Sequence, residues 1–161
     1  MAITYTDEQM RQLLTQYGPT VYRLAMAQLH SSFDAEDVYQ EVFLKYLRAK
    51  PVFQNREHQK AWFIRVTINC CKDHLKKACR RDLPLEQQML PAASPNEEYA
   101  ALHMALTQLK EPQRAIIHLH YYEGYKTKEI AELLEINHST VLSHLRRASK
   151  KLKKLLEGEE F

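Results

Sequence analysis

Apolar residues in this chain recur at steps of three and four rather than two, and that periodicity confines it to helices. Only three glycines occur among 161 residues, and no Asn-Gly or Asp-Gly pair is present to turn a hairpin. The fold is therefore read as all-α. A first helix is expected over residues 7–17, stopped by Gly18, with Pro19 opening a second over 20–30. Asp34 is expected to cap a third, which Pro51 ends, and a long fourth covers 59–81. The stretch DLPLEQQMLPAASPNEE then holds three of the six prolines. It reads as a flexible linker, 82–95, between a four-helix domain at 1–81 and a second small domain at 96–161. In the second domain Ser94 caps a fifth helix through Leu109, Pro112 sits in the first turn of a sixth that ends near Gly124, and Thr127 caps a seventh. An eighth helix follows.

A 45% hydrophobic content is enough to build real cores. No apolar run approaches the roughly 18 to 20 residues that cross a bilayer, and MAITYTDEQM lacks the basic and apolar regions of a signal peptide, so a cytoplasmic location is expected. Cys70, Cys71 and Cys79 are odd in number. On one helix Cys71 and Cys79 lie about 12 Å apart along the axis, too far to bridge, so buried reduced thiols are expected. The net charge of +3 hides a polarised chain. Residues 51–81 carry eight bases against two acids, 82–111 one base against five acids, and 112–161 nine bases against seven acids. Two basic patches separated by an acidic stretch suit a chain that touches a polyanion at two places, or one that is simply well solvated.

In the eighth helix Val141, Leu145, Ala148, Leu152 and Leu155 form one buried stripe. Ser139, Ser143, His144, Arg146, Arg147, Lys150 and Lys151 occupy the remaining faces. Before it, Ile130, Ala131, Leu134 and Ile136 pack at helical spacing, and small Ala131 permits a close crossing. A short helix, a tight turn and a longer helix with polar residues at its start follow the helix-turn-helix plan, whose second helix enters the major groove. A helical hairpin whose basic end faces water is the alternative. The polar residues at the N-terminal end and the bases along one side favour groove and phosphate contact.

The fourth helix carries the second basic patch. Ala61, Ile64, Ile68, Cys71 and Leu75 make its buried stripe, while Trp62, Arg65, Asn69, Lys72 and Lys76 line another face. A ring or guanidinium to stack on, an amide for a base edge and cations for phosphates are what single-stranded DNA needs. Trp62 is open between core and strand. In the third helix Val38, Val42, Tyr46 and Leu47 bury one side and leave Asp37, Gln40, Glu41 and Arg48 on the other.

Three stretches together resemble the bacterial RNA polymerase sigma factors of the extracytoplasmic-function class. LHYYEGYKTKEIAELLEINHSTVLSHLRRASKKLKKLL is similar to promoter-recognising region four, through Glu129, Ile130, Ala131, Thr140, Val141, Ser143, Leu145, Arg147 and Ala148. AWFIRVTINCCKDHLKK resembles region two through Ala61, Trp62, Arg65, Asn69, Asp73, Leu75 and Lys76, and DAEDVYQEVFLKYL resembles its upstream motif. The resemblance implies a region 2-like domain that docks core polymerase and takes the melted minus-ten strand, and a region 4-like domain that reads the minus-thirty-five element. It places Asn69 near a flipped base and Arg65, Lys72 and Lys76 near phosphates. Ser139, Thr140, Ser143, His144, Arg146, Arg147 and Lys150 fall on the duplex-reading helix. Asp37, Gln40 and Glu41 fall where the beta-prime clamp helices dock. The beta flap and an anti-sigma factor, one that can hold the protein at a membrane, complete the implied partners.

The sequence departs from the family at the turn, where Glu135 replaces a usual glycine. If that position keeps a left-handed conformation, a strain of about 1 to 2 kcal/mol is expected. Leu142 and His144 replace the usual basic neighbours of Ser143, and Ser149 often has a basic counterpart, so the departures fall on groove-facing side chains. No phosphate-binding loop, G-x-S-x-G or H-E-x-x-H motif is present, and neither catalysis, a cofactor nor a small-molecule substrate is expected. Cys70 and His74 share a helix face but suit packing better than metal binding. His118 and His120 flank Leu119 and point apart. A stand-alone helix-turn-helix regulator is the competing function, and it gives no reason for the two N-terminal motifs.

Overall fold

The computed structural model describes residues 5–80 and 97–158, which form helices and turns with no strand among them. The chain divides into two compact units between Met89 and Leu90. The linker at 82–95, the Ser94 cap and the side chain of Cys79 lie outside the described residues.

The first unit has three long helices: α1 (Asp7–Leu29), α2 (Ser32–Ala49) and α3 (Arg56–Arg80). The expected break at Gly18 and Pro19 does not occur, so the described residues of the unit form three helices instead of four. Leu13, Tyr17, Val21, Leu24, Ala25 and Leu29 make one stripe that runs through the Gly-Pro pair and is buried along its length. Burial of that stripe outweighs the cost of a proline inside a helix, about 3 kcal/mol. Gly18 also permits a close approach, because a Cβ there would lie 2.8 Å from the Tyr39 hydroxyl.

Helix α1 opens on a reciprocal cap, in which Gln9 N donates to Thr6 Oγ1 (3.2 Å) and Thr6 N to Gln9 Oε1 (2.9 Å). The cap of α2 is Ser31, not Asp34: Ser31 Oγ accepts from the Asp34 amide, and the Asp34 carboxylate instead meets His74 Nε2 of α3 at 3.0 Å. Helix α3 begins three residues earlier than expected, because the Asn55 side chain accepts from the His58 amide at 2.9 Å. His30 and Lys50 close α1 and α2 in the left-handed conformation.

The core of the first unit is aromatic. Phe63 stacks on Tyr17 (centroids 4.6 Å apart) and on Tyr46 (5.2 Å), and Gln59 joins the two hydroxyls, accepting from Tyr17 at 2.7 Å and donating to Tyr46 at 3.2 Å. Phe43, Phe63, Thr67 and Cys70 are buried beyond the single stripes expected of α2 and α3, whereas Ala61, Leu75 and Leu47 are only half-buried. Helix α3 packs against both α1 and α2, so its buried face is wider than one stripe. Cys70 and Cys71 are buried thiols that form no disulfide, as expected.

The second unit contains α4 (Glu97–Thr107), α5 (Glu111–Ile117), a π-helical turn (His118–Tyr122), α6 (Thr127–Leu134) and α7 (His138–Glu157). Leu109, Ile117 and Ala148 form one core cluster, with Leu106, Leu145 and Leu152 packed against it. The wide turn is closed by Glu123 N donating to His118 O at 3.0 Å, by the His118 ring stacked on Tyr122, and by His118 Nε2 lying 3.5 Å from the buried Glu123 carboxylate. The cap position of α6 is Lys126, whose amide donates to Glu129 Oε1 at 2.9 Å. Thr127 was the expected cap; its hydroxyl instead meets His138 Nε2 at 2.8 Å and ties the starts of α6 and α7 together.

Candidate nucleic-acid interfaces

Three residues, 135 to 137, join α6 to α7. The Ile136 amide donates to Ala131 O (3.0 Å) and the Glu135 amide to Glu132 O (3.3 Å), which closes the helix with the paired bonds of a Schellman turn. That turn needs a left-handed residue, and Glu135 supplies it at φ 57 and ψ 44. Ile130, Ala131 and Leu133 are buried beneath the pair, Leu134 is half-buried, and Ile136 lies past the helix end and is exposed. Of the α7 stripe, Val141 and Ala148 are fully buried and Leu145, Leu152 and Leu155 are half-buried.

The opposite side of α7 presents Ser139, Arg146, Arg147 and Lys150 to solvent, with Thr140, Ser143 and His144 half-buried beside them. At 3.6 residues per turn Ser139, Ser143, Arg146 and Lys150 stack into one line, and Arg147 flanks it. Lys151 belongs elsewhere, since its ammonium donates to Gln108 O at 2.9 Å and anchors α7 to the end of α4. The exposed line thus combines hydroxyls near the helix start with cations further along.

In the first unit Arg65, Asn69, Lys72 and Lys76 are spaced four, three and four apart, which also makes a single line along α3. Asn69, Lys72 and Lys76 are exposed and Arg65 is half-buried. Trp62 begins the same line but is half-buried, with its indole edge-on to Tyr46 (5.4 Å) and Phe63 (5.2 Å). Its ring therefore packs on the aromatic core. Val52, 87% exposed, projects from the loop before α3.

Helix α2 carries a third surface. Asp37, Gln40, Glu41 and Arg48 are all exposed, and Lys45 Nζ lies 3.6 Å from Glu41 Oε1. Two apolar side chains missing from the sequence reading, Phe33 (74% exposed) and Leu44 (48%), lie along the same face as Asp37, Gln40 and Arg48. Their steps of four and seven from Asp37 fall off the buried stripe, and that was the signal available. Lys45 also contacts Cys70, whose thiol burial pushes above its ordinary range. His74 pairs with Asp34 rather than joining Cys70, and no group of three potential ligands is placed to hold a metal among the described residues. No helix of the described residues is long and apolar enough to cross a membrane.

Both units match known families. Residues 13–81 fit the family described as Sigma-70 region 2, and residues 99–152 that described as Sigma-70, region 4. The chain is 31% identical over 157 residues to the ECF RNA polymerase sigma factor SigL of Mycobacterium tuberculosis, covering 92% of this chain and 89% of that one. It is 29% identical over 151 residues to the RNA polymerase sigma factor SigV of Bacillus subtilis, covering 92% and 91%. Among solved structures it is similar to the sigma factor RpoE of Bartonella quintana, seen in complex with the anti-sigma factor NepR, with a TM-score of 0.77 at 21% identity over 95% of this chain and 99% of that one. It is also similar to CnrH in complex with the cytosolic domain of CnrY, with a TM-score of 0.67 at 22% identity over 96% and 92%.

Proposed function

The chain belongs to the sigma-70 family, in its extracytoplasmic-function class, and from that premise we propose that it binds core RNA polymerase, directs it to specific promoters and helps melt them. The observation that carries this reading is the pairing of a region 2 match over 13–81 with a region 4 match over 99–152, each containing an exposed polar line of the required chemistry. A stand-alone regulator would need only the second.

In this reading residues 1–81 dock polymerase and hold the minus-ten strand, 82–95 link, and 96–161 read the minus-thirty-five element. Asp37, Gln40 and Glu41, with Phe33 and Leu44 among them, form the face for the beta-prime clamp helices, mixing charge with apolar contact as interfaces do. Asn69 hydrogen-bonds a base lifted from the melted strand, while Arg65, Lys72 and Lys76 follow its phosphates. Ser139, Thr140, Ser143, His144 and Arg146 meet base edges and nearby phosphates in the major groove, and Arg147 and Lys150 neutralise the backbone alongside. The beta flap positions this unit. An anti-sigma protein covers these faces until released, and the sites of action are wherever polymerase works, in the cytoplasm. Catalysis stays with the polymerase.

The test is run-off transcription on genomic fragments by core polymerase with and without the protein. Discrete start sites that require it are expected; no new starts alongside intact duplex binding would overturn the reading. On a promoter so identified, Asn69→Ala is expected to impair opening while leaving closed-complex binding intact. Arg147→Ala is expected to weaken upstream-element binding and lower its salt dependence by about one phosphate contact.

A further inference from the structure

Leu142 stands out on α7 because it is 46% exposed while every other apolar residue in the first three turns takes the core side. Val141 and Ala148 are buried and Leu145 is half-buried against the Leu109 cluster, to which Leu142 does not belong. Three residues before it is Ser139 and four after it Arg146, both exposed, so at helical spacing Leu142 sits between them on one surface. The other strongly exposed leucine of α7, Leu156, is 50% exposed but lies near the far end of the helix.

A leucine among hydrogen-bonding side chains can recognise only an apolar group. Of all the groups that base pairs present in the major groove, the thymine 5-methyl is the one apolar feature; the rest are donors and acceptors that Ser139 and Arg146 can address and Leu142 cannot. We infer that Leu142 is a specificity-determining residue that packs on the 5-methyl of a thymine in the upstream promoter element, selecting a T·A pair at that step. The inference rests on the proposal that α7 enters the major groove, and it adds the identity of one base and the side chain that reads it. Contact with the methyl removes about one methylene equivalent from water in all, and losing it is worth about fourfold in binding. Alanine at position 142 keeps the helix, since the leucine side chain is 46% exposed and alanine favours helix more than leucine.

The experiment uses holoenzyme reconstituted from core polymerase and the full chain, on a duplex recovered from a library randomised across the upstream element. Each thymine in that element is replaced in turn by deoxyuridine, which keeps every hydrogen-bonding group and removes only the methyl. One replacement is expected to weaken wild-type holoenzyme about fourfold and Leu142→Ala holoenzyme by less than twofold, the other positions being equal in the two proteins. Leu142→Arg is expected to shift the selected base at that step toward guanine. If no thymine shows a methyl effect that Leu142→Ala abolishes, while Arg147→Ala still weakens binding, the helix reads duplex without Leu142 and the inference fails. If Arg147→Ala and every deoxyuridine are neutral, groove entry itself is refuted and the inference with it.

Discussion

Replacing Glu135 with glycine should stabilise the C-terminal unit. Glu135 holds φ 57 and ψ 44 to complete the turn between α6 and α7, and its side chain is exposed. An L-residue in that conformation is strained by about 1 to 2 kcal/mol, whereas glycine is not, though glycine gives back about 0.5 to 1 kcal/mol through the freedom of the unfolded chain. Removing a carboxylate from the C-terminal end of α6 adds about 0.3 kcal/mol. The net gain is about 1 kcal/mol, or about fivefold slower exchange wherever amides open by global unfolding of the unit. Hydrogen–deuterium exchange followed by mass spectrometry reads this directly, with peptides from α6 and α7 as the signal and peptides from α2 and α3 as an internal control. Glu135→Ala separates the contributions, because it removes the charge and keeps the strained backbone. It should yield only the electrostatic few tenths. If Glu135→Gly protects α6 and α7 no better than Glu135→Ala does, the backbone at this turn carries no strain and the argument is wrong.

Gly18→Ala should gain little alone, because the new Cβ meets the Tyr39 hydroxyl at 2.8 Å, but in a Tyr39→Phe background it should recover about 1 kcal/mol of helix propensity; chemical denaturation of the four proteins as a double-mutant cycle measures the difference, and equal effects in both backgrounds would remove the steric account. Burial pushes the Tyr17 and Tyr39 phenols and the Cys70 thiol above their ordinary values of 10.0 and 9.0. The unfolded chain then ionises first, so stability is full below about pH 9 and falls as pH rises through those values. Urea midpoints by circular dichroism at pH 7.5 and 10.5 should show the fall, and identical midpoints would contradict it. Native Cys70 should resist alkylation at pH 7.5 and react once urea unfolds the chain, since it is buried and its thiol is held neutral.

The α7 register was legible in sequence because its apolar residues keep to one narrow, regular stripe, and Val141 and Ala148 are buried where that stripe puts them. Helix α3 was harder for the converse reason: with neighbours on two sides it buries Phe63, Thr67 and Cys70 as well as Ile64, Ile68 and Cys71, and a single-stripe pattern misses half of that face. At Gly18 and Pro19 a strong local breaker lost to tertiary burial, which no window of a few residues can weigh. The cap of α2 had a readable signal, since Ser31 and Asp34 stand three apart as in a capping box, but both are good cap residues and nothing local decides between them. Lys151 looked like its basic neighbours because its partner, the Gln108 carbonyl, lies 43 residues away in the chain.

The packing of Trp62 has a practical consequence. It is the only tryptophan in the chain, half-buried at the head of the line that continues through Arg65, Asn69, Lys72 and Lys76. Its environment combines a fixed aromatic wall with partial access to solvent, so its emission is an intrinsic optical reporter. A nucleobase settling near Asn69, about two helical turns along α3 from Trp62, would change the polarity and quenching around the indole. The strand capture proposed for this face can therefore be timed by stopped-flow fluorescence on the unmodified chain, with polymerase tryptophans subtracted by a Trp62→Phe control.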